Sequence, residues 1–250
     1  MFRVVIPSRY ASTRLPGKPL LNLAGKTMLE WVWSNACASA AAEVLIATDD
    51  ARIAAAARGF GAEVEMTSAH HQSGTARIAE VAIRRSWAAD SIVVNVQGDE
   101  PLLPPELIDQ VAALLATNKI ADVATLATRL RDRAQFLDPA AVKLVTDVRG
   151  YALYFSRAPI PWQRDASPDA EPPAIARRHL GLYAYRAAAL KRLAVPSSAA
   201  ARELENLEKL EQLRVLALGY RIVVADAVSE PGPDVNTPQD VAAVEALLRT

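Results

Sequence analysis

The run Arg9-Tyr10-Ala11-Ser12-Thr13-Arg14-Leu15-Pro16-Gly17-Lys18 directly follows a short apolar stretch that ends in Ile6-Pro7-Ser8. Two guanidiniums give forked contacts to phosphate oxygens, an ammonium adds a point charge, and a turning backbone offers N–H groups. Arg9, Arg14 and Lys18, with Ser8 and the hydroxyls between them, therefore have the composition needed to hold a triphosphate. The glycine spacing and Lys-Ser/Thr ending of a Walker loop are missing, and so is the dinucleotide fingerprint. By composition alone the loop could equally be a solvated basic stretch. Its place after the first strand, where open parallel sheets bind ligands, decides for a site.

A second apolar stretch leads into Asn95-Val96-Gln97-Gly98-Asp99-Glu100-Pro101. An aspartate after a strand is commonly a turn or cap residue. Facing three phosphate-binding cations it also suits magnesium, which prefers one or two carboxylates with phosphate oxygens and water. A third segment, His70-His71-Gln72-Ser73-Gly74-Thr75-Ala76-Arg77, precedes a helix that Ser73 or Thr75 can cap. Helix N-termini attract anions, and polar groups there can read a base or ribose edge. The adjacent histidines do not share a helix face, so they are not expected to bind a metal together.

The elements that must position these segments alternate along the chain. Short β-branched runs at 3–7, 43–48, 63–66, 91–96 and 122–126 are separated by helical patterns, which predicts right-handed βαβ units and an α/β fold. The sheet should be mostly parallel and covered by helices on both faces, a Rossmann-like arrangement. Asp49 or Asp50 can start one helix, Pro104-Pro105-Glu106 another, and Thr237-Pro238 the last. Runs at 142–148 and 151–155, joined by Arg149-Gly150, read as a hairpin-like pair and mark a smaller inserted region at about 128–200 within a single domain of 1–250. A proline-rich loop at 159–173 should be exposed. One helix is expected from about 201 to 218, and a strand at 221–225 should return to the sheet.

Composition narrows the partners. Basic and acidic residues balance at 28 each, so no net field draws the chain toward nucleic acid or a membrane surface. No stretch approaches the roughly 20 apolar residues a membrane span requires, and the first residues lack a signal peptide's pattern, which points to the cytoplasm. The lone Cys37 excludes an internal disulfide and is expected to be a small buried helix residue.

Arg-Tyr-Ala-Ser-Thr-Arg-Leu-Pro-Gly-Lys-Pro-Leu closely resembles the opening loop of the CMP-Kdo synthetases, the 3-deoxy-manno-octulosonate cytidylyltransferases. His-Gln-Ser-Gly-Thr, Gln-Gly-Asp-Glu-Pro, Arg-His-Leu-Gly-Leu-Tyr and Leu-Glu-Gln-Leu-Arg follow in the family's order, so the resemblance spans nearly the whole chain. It implies that Arg9, Arg14 and Lys18 contact the phosphates of CTP and that Asp99 binds Mg2+. It also implies nucleotide recognition by His71, Gln72, Ser73, Gly74 and Thr75 with Thr48, Asp49 and Gly98, and places Gln97 near the sugar acid. In the second half it implies that Arg157, His179, Gly181, Tyr183, Glu211 and Gln212 bind that acid, Kdo. Magnesium as cofactor, a homodimer built through the middle region and a place in lipopolysaccharide synthesis are further implications.

One departure stands out. The family usually reads Val-Asp-Thr-Pro before the last helix, with the aspartate as second metal ligand, whereas this chain has Asp234-Val235-Asn236-Thr237-Pro238. Asn236 offers a carbonyl oxygen without charge, and Asp234, on the same side of an extended segment, can stand in. The expected reaction is in-line attack of the sugar's anomeric hydroxyl on the α-phosphate of CTP. Rivals are a cytidylyltransferase for amino-Kdo, a sialic-type acid or a phosphonate, and a nucleotide-binding protein without catalysis.

Overall fold

A computed structural model of the chain describes residues 1–11, 15–71, 73–167, 170–195 and 197–249. In chain order the elements are β1 (Phe2–Ser8), a 3-10 turn (Lys18–Leu20), the short hairpin β2 (Asn22–Leu23) and β3 (Lys26–Thr27), α1 (Met28–Cys37), β4 (Glu43–Thr48), α2 (Ala51–Gly59), β5 (Glu63–Met66), α3 (Gly74–Arg84), β6 (Ile92–Asn95) and α4 (Pro105–Thr117). Then come β7 (Val123–Arg129), α5 (Arg133–Leu137), β8 (Lys143–Thr146), β9 (Ala152–Ser156), β10 (Arg177–Arg186), α6 (Ala187–Leu193), α7 (Ala199–Glu208), α8 (Glu211–Ala217), β11 (Ile222–Asp226) and α9 (Pro238–Leu248).

The strands lie side by side in the order β11-β7-β10-β6-β1-β4-β5, with the β8-β9 hairpin branching from β10. β1 runs parallel to β4 and β6, β4 parallel to β5, and β11 parallel to β7, while β10 runs antiparallel between β6 and β7. The mostly parallel α/β sheet is thus present, and the 128–200 segment supplies both the hairpin and a strand in the middle of the sheet. Along β1, Val4 and Ile6 join a core with Leu29, Ile53, Leu107 and Val111 on one face, and Val5 joins Ile78, Val81, Leu190 and Leu213 on the other. A strand buried on both faces must be apolar at consecutive positions, which is why these runs do not alternate. Fully burying each such side chain contributes about 1.5–3 kcal/mol relative to exposure.

The caps form as their residue types predict. Asp50 accepts from the backbone N–H of Arg52 and Ile53 at the start of α2, Ser73 accepts from Ala76 N–H at the start of α3, and Thr237 and Asp240 close a capping box at α9. Among the described residues, no helix is long and apolar enough to cross a membrane.

Two expectations are corrected. The stretch 201–218 is not one helix: Lys209 takes a left-handed conformation with φ 55° and separates α7 from α8. The leucine stripe explains the break. Leu210 and Leu213 are buried, but Leu204 and Leu207 are 41% and 75% exposed, so one straight helix would not follow the surface that the stripe covers. Cys37 is exposed rather than buried, because it falls in the last turn of α1 beside the core-facing Ala36.

Candidate active site

The carboxyl ends of β1 and β6 lie together, with Val5 paired to Asn95, so the loops after Ser8 and after Asn95 meet at one edge of the sheet. Gly98 lets them touch: a Cβ there would stand 3.3 Å from the Pro7 carbonyl oxygen. Gly17, at φ 70°, turns the first loop so that its N–H donates to Tyr10 O at 3.2 Å and Lys18 points inward. The N-terminus of α3 completes the wall.

Two cavities open here. One, of about 290 Å³, is lined by Ser8, Arg9, Lys18, His71, Ser73, Gly74, Arg77, Gln97, Gly98, Asp99 and Glu211. The other, of about 500 Å³, is lined by Thr75, Asn95, Glu100, Arg157, Arg178, His179, Gly181, Tyr183, Gln212, Asp234 and Asn236, among others. Gly74, Gln97, Asp99 and Glu211 belong to both. A ligand in one cavity and a ligand in the other would therefore meet over Asp99 and Gln97.

The structure gathers most of the residues singled out from sequence. Thr48 and Asp49 do not line either cavity. Thr48 is fully buried at the end of β4, its hydroxyl accepting from Asp50 N–H at 3.2 Å, and Asp49 reaches the smaller cavity only through an ion pair with Arg77 at 3.2 Å. Arg14 and Gln72 lie outside the described residues. His71 Nε2 is 2.5 Å from the Glu80 carboxylate, which fixes the ring against the cavity wall.

Lys18 Nζ donates to Asp99 Oδ2 at 2.7 Å and to Asn236 Oδ1 at 3.4 Å. Oxygen donors from two loops thus converge on one positive charge. Glu100 and Asp234 add negative charge beside them. Burial, then Asp234 and Asp99, pushes the Glu100 carboxyl well above the usual range, and burial followed by Asp99 raises Asp234 although part of its surface meets solvent. Among the described residues, no three His, Cys, Asp or Glu side chains are grouped as a protein-only metal cage. The donor set fits a hard cation that completes its shell with phosphate oxygens and water.

The polar groups left without partners point the same way. Among the described residues, buried side-chain atoms lacking a hydrogen bond include Ser8 Oγ, Asn95 Oδ1, Glu100 Oε2 and Glu211 Oε2, all on residues that line these cavities. An unpaired buried polar atom costs about 1–3 kcal/mol, so a concentration of acceptors here calls for a ligand rich in hydroxyls.

His179 is placed by a chain of hydrogen bonds. Its Nε2 lies 3.0 Å from Thr125 Oγ1, which also contacts the carbonyls of Leu182 at 2.8 Å and Leu180 at 3.2 Å. Carbonyls only accept, so the Thr125 proton goes to one of them and its oxygen accepts from His179 Nε2–H. Nδ1 is left as an acceptor. Phe155 meets the ring edge-on at 5.0 Å and Tyr183 tilts against it at 5.2 Å. Burial, with Arg178 adding to it, holds the His179 pKa down at about 3, so the ring is neutral in working conditions.

A depressed pKa in the fold means stability that is present above the unfolded pKa near 6.5 and lost as pH falls toward 3. Because part of the ring edge reaches the cavity, the loss between pH 7 and pH 5 is at most about 2 kcal/mol. His179→Gln should remove it. Urea unfolding at the two pH values is expected to show wild type losing more stability than the variant, and equal losses would contradict a neutral buried ring.

A family model described as cytidylyltransferase matches residues 3–222. The chain belongs to the cytidylyltransferase family. This cytidylyltransferase is 53% identical to the 3-deoxy-manno-octulosonate cytidylyltransferase of Thioalkalivibrio sulfidiphilus (strain HL-EbGR7), over 99% of each chain. It is also 53% identical to the protein of that name from Pseudomonas fluorescens (strain SBW25), over 99% of this chain and 98% of the relative. Among solved structures it is similar to a CMP:2-keto-3-deoxy-manno-octonic acid synthetase complexed with CTP, at TM-score 0.88 and 39% identity, covering 100% of this chain and 99% of that one. A 4-diphosphocytidyl-2C-methyl-D-erythritol synthase, at TM-score 0.63 and 14% identity over 98% of this chain and 97% of that one, shares the fold.

Sequence reasoning passed over Glu100, Arg178, Asn95 and Arg77. Glu100 and Arg178 sat inside quoted motifs, next to Asp99 and His179. Arg178 and His179 are consecutive on β10 and pair in regular register with Thr128 and Ala127, yet both line the cavity, which strand alternation alone does not predict.

Proposed function

We propose that this cytidylyltransferase transfers the CMP unit of CTP to the anomeric hydroxyl of 3-deoxy-manno-octulosonate, giving CMP-Kdo and pyrophosphate. The observation that carries the reading is the pair of cavities joined at Gly74, Gln97, Asp99 and Glu211, one walled by phosphate-binding residue types and the other by unpaired acceptors suited to a polyhydroxy acid. The full-length kinship to enzymes of that name supports the choice of acid.

In this reading Arg9, Arg14 and Lys18 bind the triphosphate and stabilise charge on the departing pyrophosphate, as fixed charges do in phosphoryl transfer. Asp99, with Asn236 or Asp234, would hold a magnesium ion, which would supply Lewis-acid stabilisation of the phosphate charge. His71, Ser73 and Gly74 orient the nucleotide, and Gln97 spans the boundary between the two substrates. His179 Nδ1, Glu100, Glu211 and Gln212 accept from or donate to the sugar's hydroxyls. Lining the acid on both sides excludes water that would otherwise compete as nucleophile.

The protein is read as a cytoplasmic homodimer serving lipopolysaccharide synthesis, joined to a second copy through the middle region at about 128–200. Leu153, Trp162 and Ile175, exposed at 61%, 75% and 56%, give that region the apolar surface such a contact uses. Phosphorus NMR of the protein with CTP, Kdo and magnesium should show CTP replaced by CMP-Kdo and pyrophosphate in equal amounts. Persistence of CTP would refute the reading.

A further inference from the structure

Two arginines line the larger cavity, and they are not equivalent. The Arg157 guanidinium is spent on the protein itself: Nε donates to Glu208 O at 2.6 Å, Nη1 to Pro139 O at 2.9 Å and Nη2 to Lys209 O at 3.5 Å. Its backbone is held as firmly, since its N–H donates to the Glu208 carboxylate at 2.9 Å and its carbonyl accepts from the fully buried Lys143 ammonium at 2.5 Å. Arg157 thus clips β9 to the α7–α8 junction. To bind a substrate it would have to give up all three carbonyl contacts, the one to Glu208 O being part-buried.

Arg178 is different. It lies half-buried on β10, paired through its backbone with Thr128 and Lys143, and its side chain lines the cavity. Among the described residues its guanidinium makes no hydrogen bond and no ion pair, although Glu100, Asp234 and His179 are near enough to feel its charge. The other cation at this cavity, Lys209, is exposed at the rim in its left-handed turn. Four carboxylates, Asp99, Glu100, Glu211 and Asp234, also line it, so an acid can enter only where a cation with free donors receives it.

Building on the reading above that the second substrate is a sugar acid, we propose that Arg178, rather than Arg157, receives its carboxylate. Arg178 is then the residue that distinguishes an acid from a neutral sugar, and Arg157 is a framework residue. The forked guanidinium matches a carboxylate through two parallel N–H···O bonds.

The test compares wild type, Arg178→Gln, Arg178→Lys and Arg157→Gln with Kdo and with its neutral carboxamide. Arg178→Gln should raise KM for Kdo by roughly 30-fold while KM for CTP stays within about twofold. Wild type should prefer the acid to the amide by at least about tenfold, Arg178→Gln should not discriminate, and Arg178→Lys should recover part of the preference. Arg157→Gln should lower the thermal midpoint yet keep the preference. Wild-type turnover with Kdo tests the functional reading by itself, while the acid–amide preference isolates Arg178. An Arg178→Gln enzyme that keeps both the wild-type KM for Kdo and the preference would overturn the proposal, as would loss of the preference in Arg157→Gln alone.

Discussion

Asp99→Ala is expected to lower kcat by about 10³-fold or more with little loss of stability. Asp99 is on the wall shared by both cavities, and its Oδ2 holds the Lys18 ammonium at 2.7 Å. The substitution removes one of the two carboxylates that, among the described residues, are common to both cavities, and with it the charged partner that orients Lys18. Asn236 also accepts from Lys18, but its oxygen is uncharged and cannot replace the lost charge. The fold should survive because the ion pair is partly exposed, with the Asp99 side chain 37% accessible, and because the Asp99 carbonyl still accepts from Val235 N–H at 3.0 Å. A thermal midpoint within about 2 °C of wild type is expected. Asp99→Asn should fall nearly as far in rate, since it keeps an oxygen and loses the charge. Retention of more than about a tenth of wild-type turnover in Asp99→Ala would remove this residue from the reaction.

Phe155→Ala should be the most damaging change to stability. The ring is fully buried on β9, in the core cluster that contains Leu144, Tyr183 and Leu213, and its removal leaves a cavity that a sheet-and-helix interface closes only in part. A loss of about 3–5 kcal/mol is expected. For a chain of this size that is roughly 10 °C in thermal midpoint. The change also reaches the site, because Phe155 meets the His179 ring edge-on at 5.0 Å and helps fix its position. KM for the sugar acid should rise while KM for CTP stays put, and Phe155→Leu should restore most of the stability but less of the affinity. A midpoint shift under about 2 °C would show that the ring does not carry the packing assigned to it.

The frame of the site was legible because its signals are local. An apolar run followed by a cation-rich turn places Arg9 and Lys18 at a sheet edge, and Ser73 before an amphipathic run places the start of α3 beside them. Local patterning also locates β4 and β5 at 43–48 and 63–66. It fails where neighbours in space decide. The break at Lys209 depends on where Leu210 finds its core, and the leucine spacing alone continues straight through it. The contrast between Arg157 and Arg178 rests on three carbonyls from distant segments, which no spacing rule reveals. Asp49 sits one layer behind the cavity wall because Arg77, buried at 3% exposure, lines the wall and pairs with it, while Thr48 is fully buried at the end of β4. Glu100 comes close to β10, where a Cβ on Gly181 would stand 3.6 Å from its carboxylate, a neighbour far away in sequence.

The departure at Asn236 turns on charge. Lys18 already lies between Asp99 and Asn236, so the position keeps an oxygen where the family usually has a carboxylate, and Asp234 supplies negative charge close by. That arrangement supports an active enzyme over a binding protein without catalysis. The most direct test is the steady-state rate of pyrophosphate release from CTP with magnesium, measured with Kdo, with 8-amino-Kdo, with a sialic acid and with no acid. Rapid release that depends on Kdo, with a far lower kcat/KM for the others, is expected; release that prefers another acid, or none with any, would contradict a Kdo-specific cytidylyltransferase.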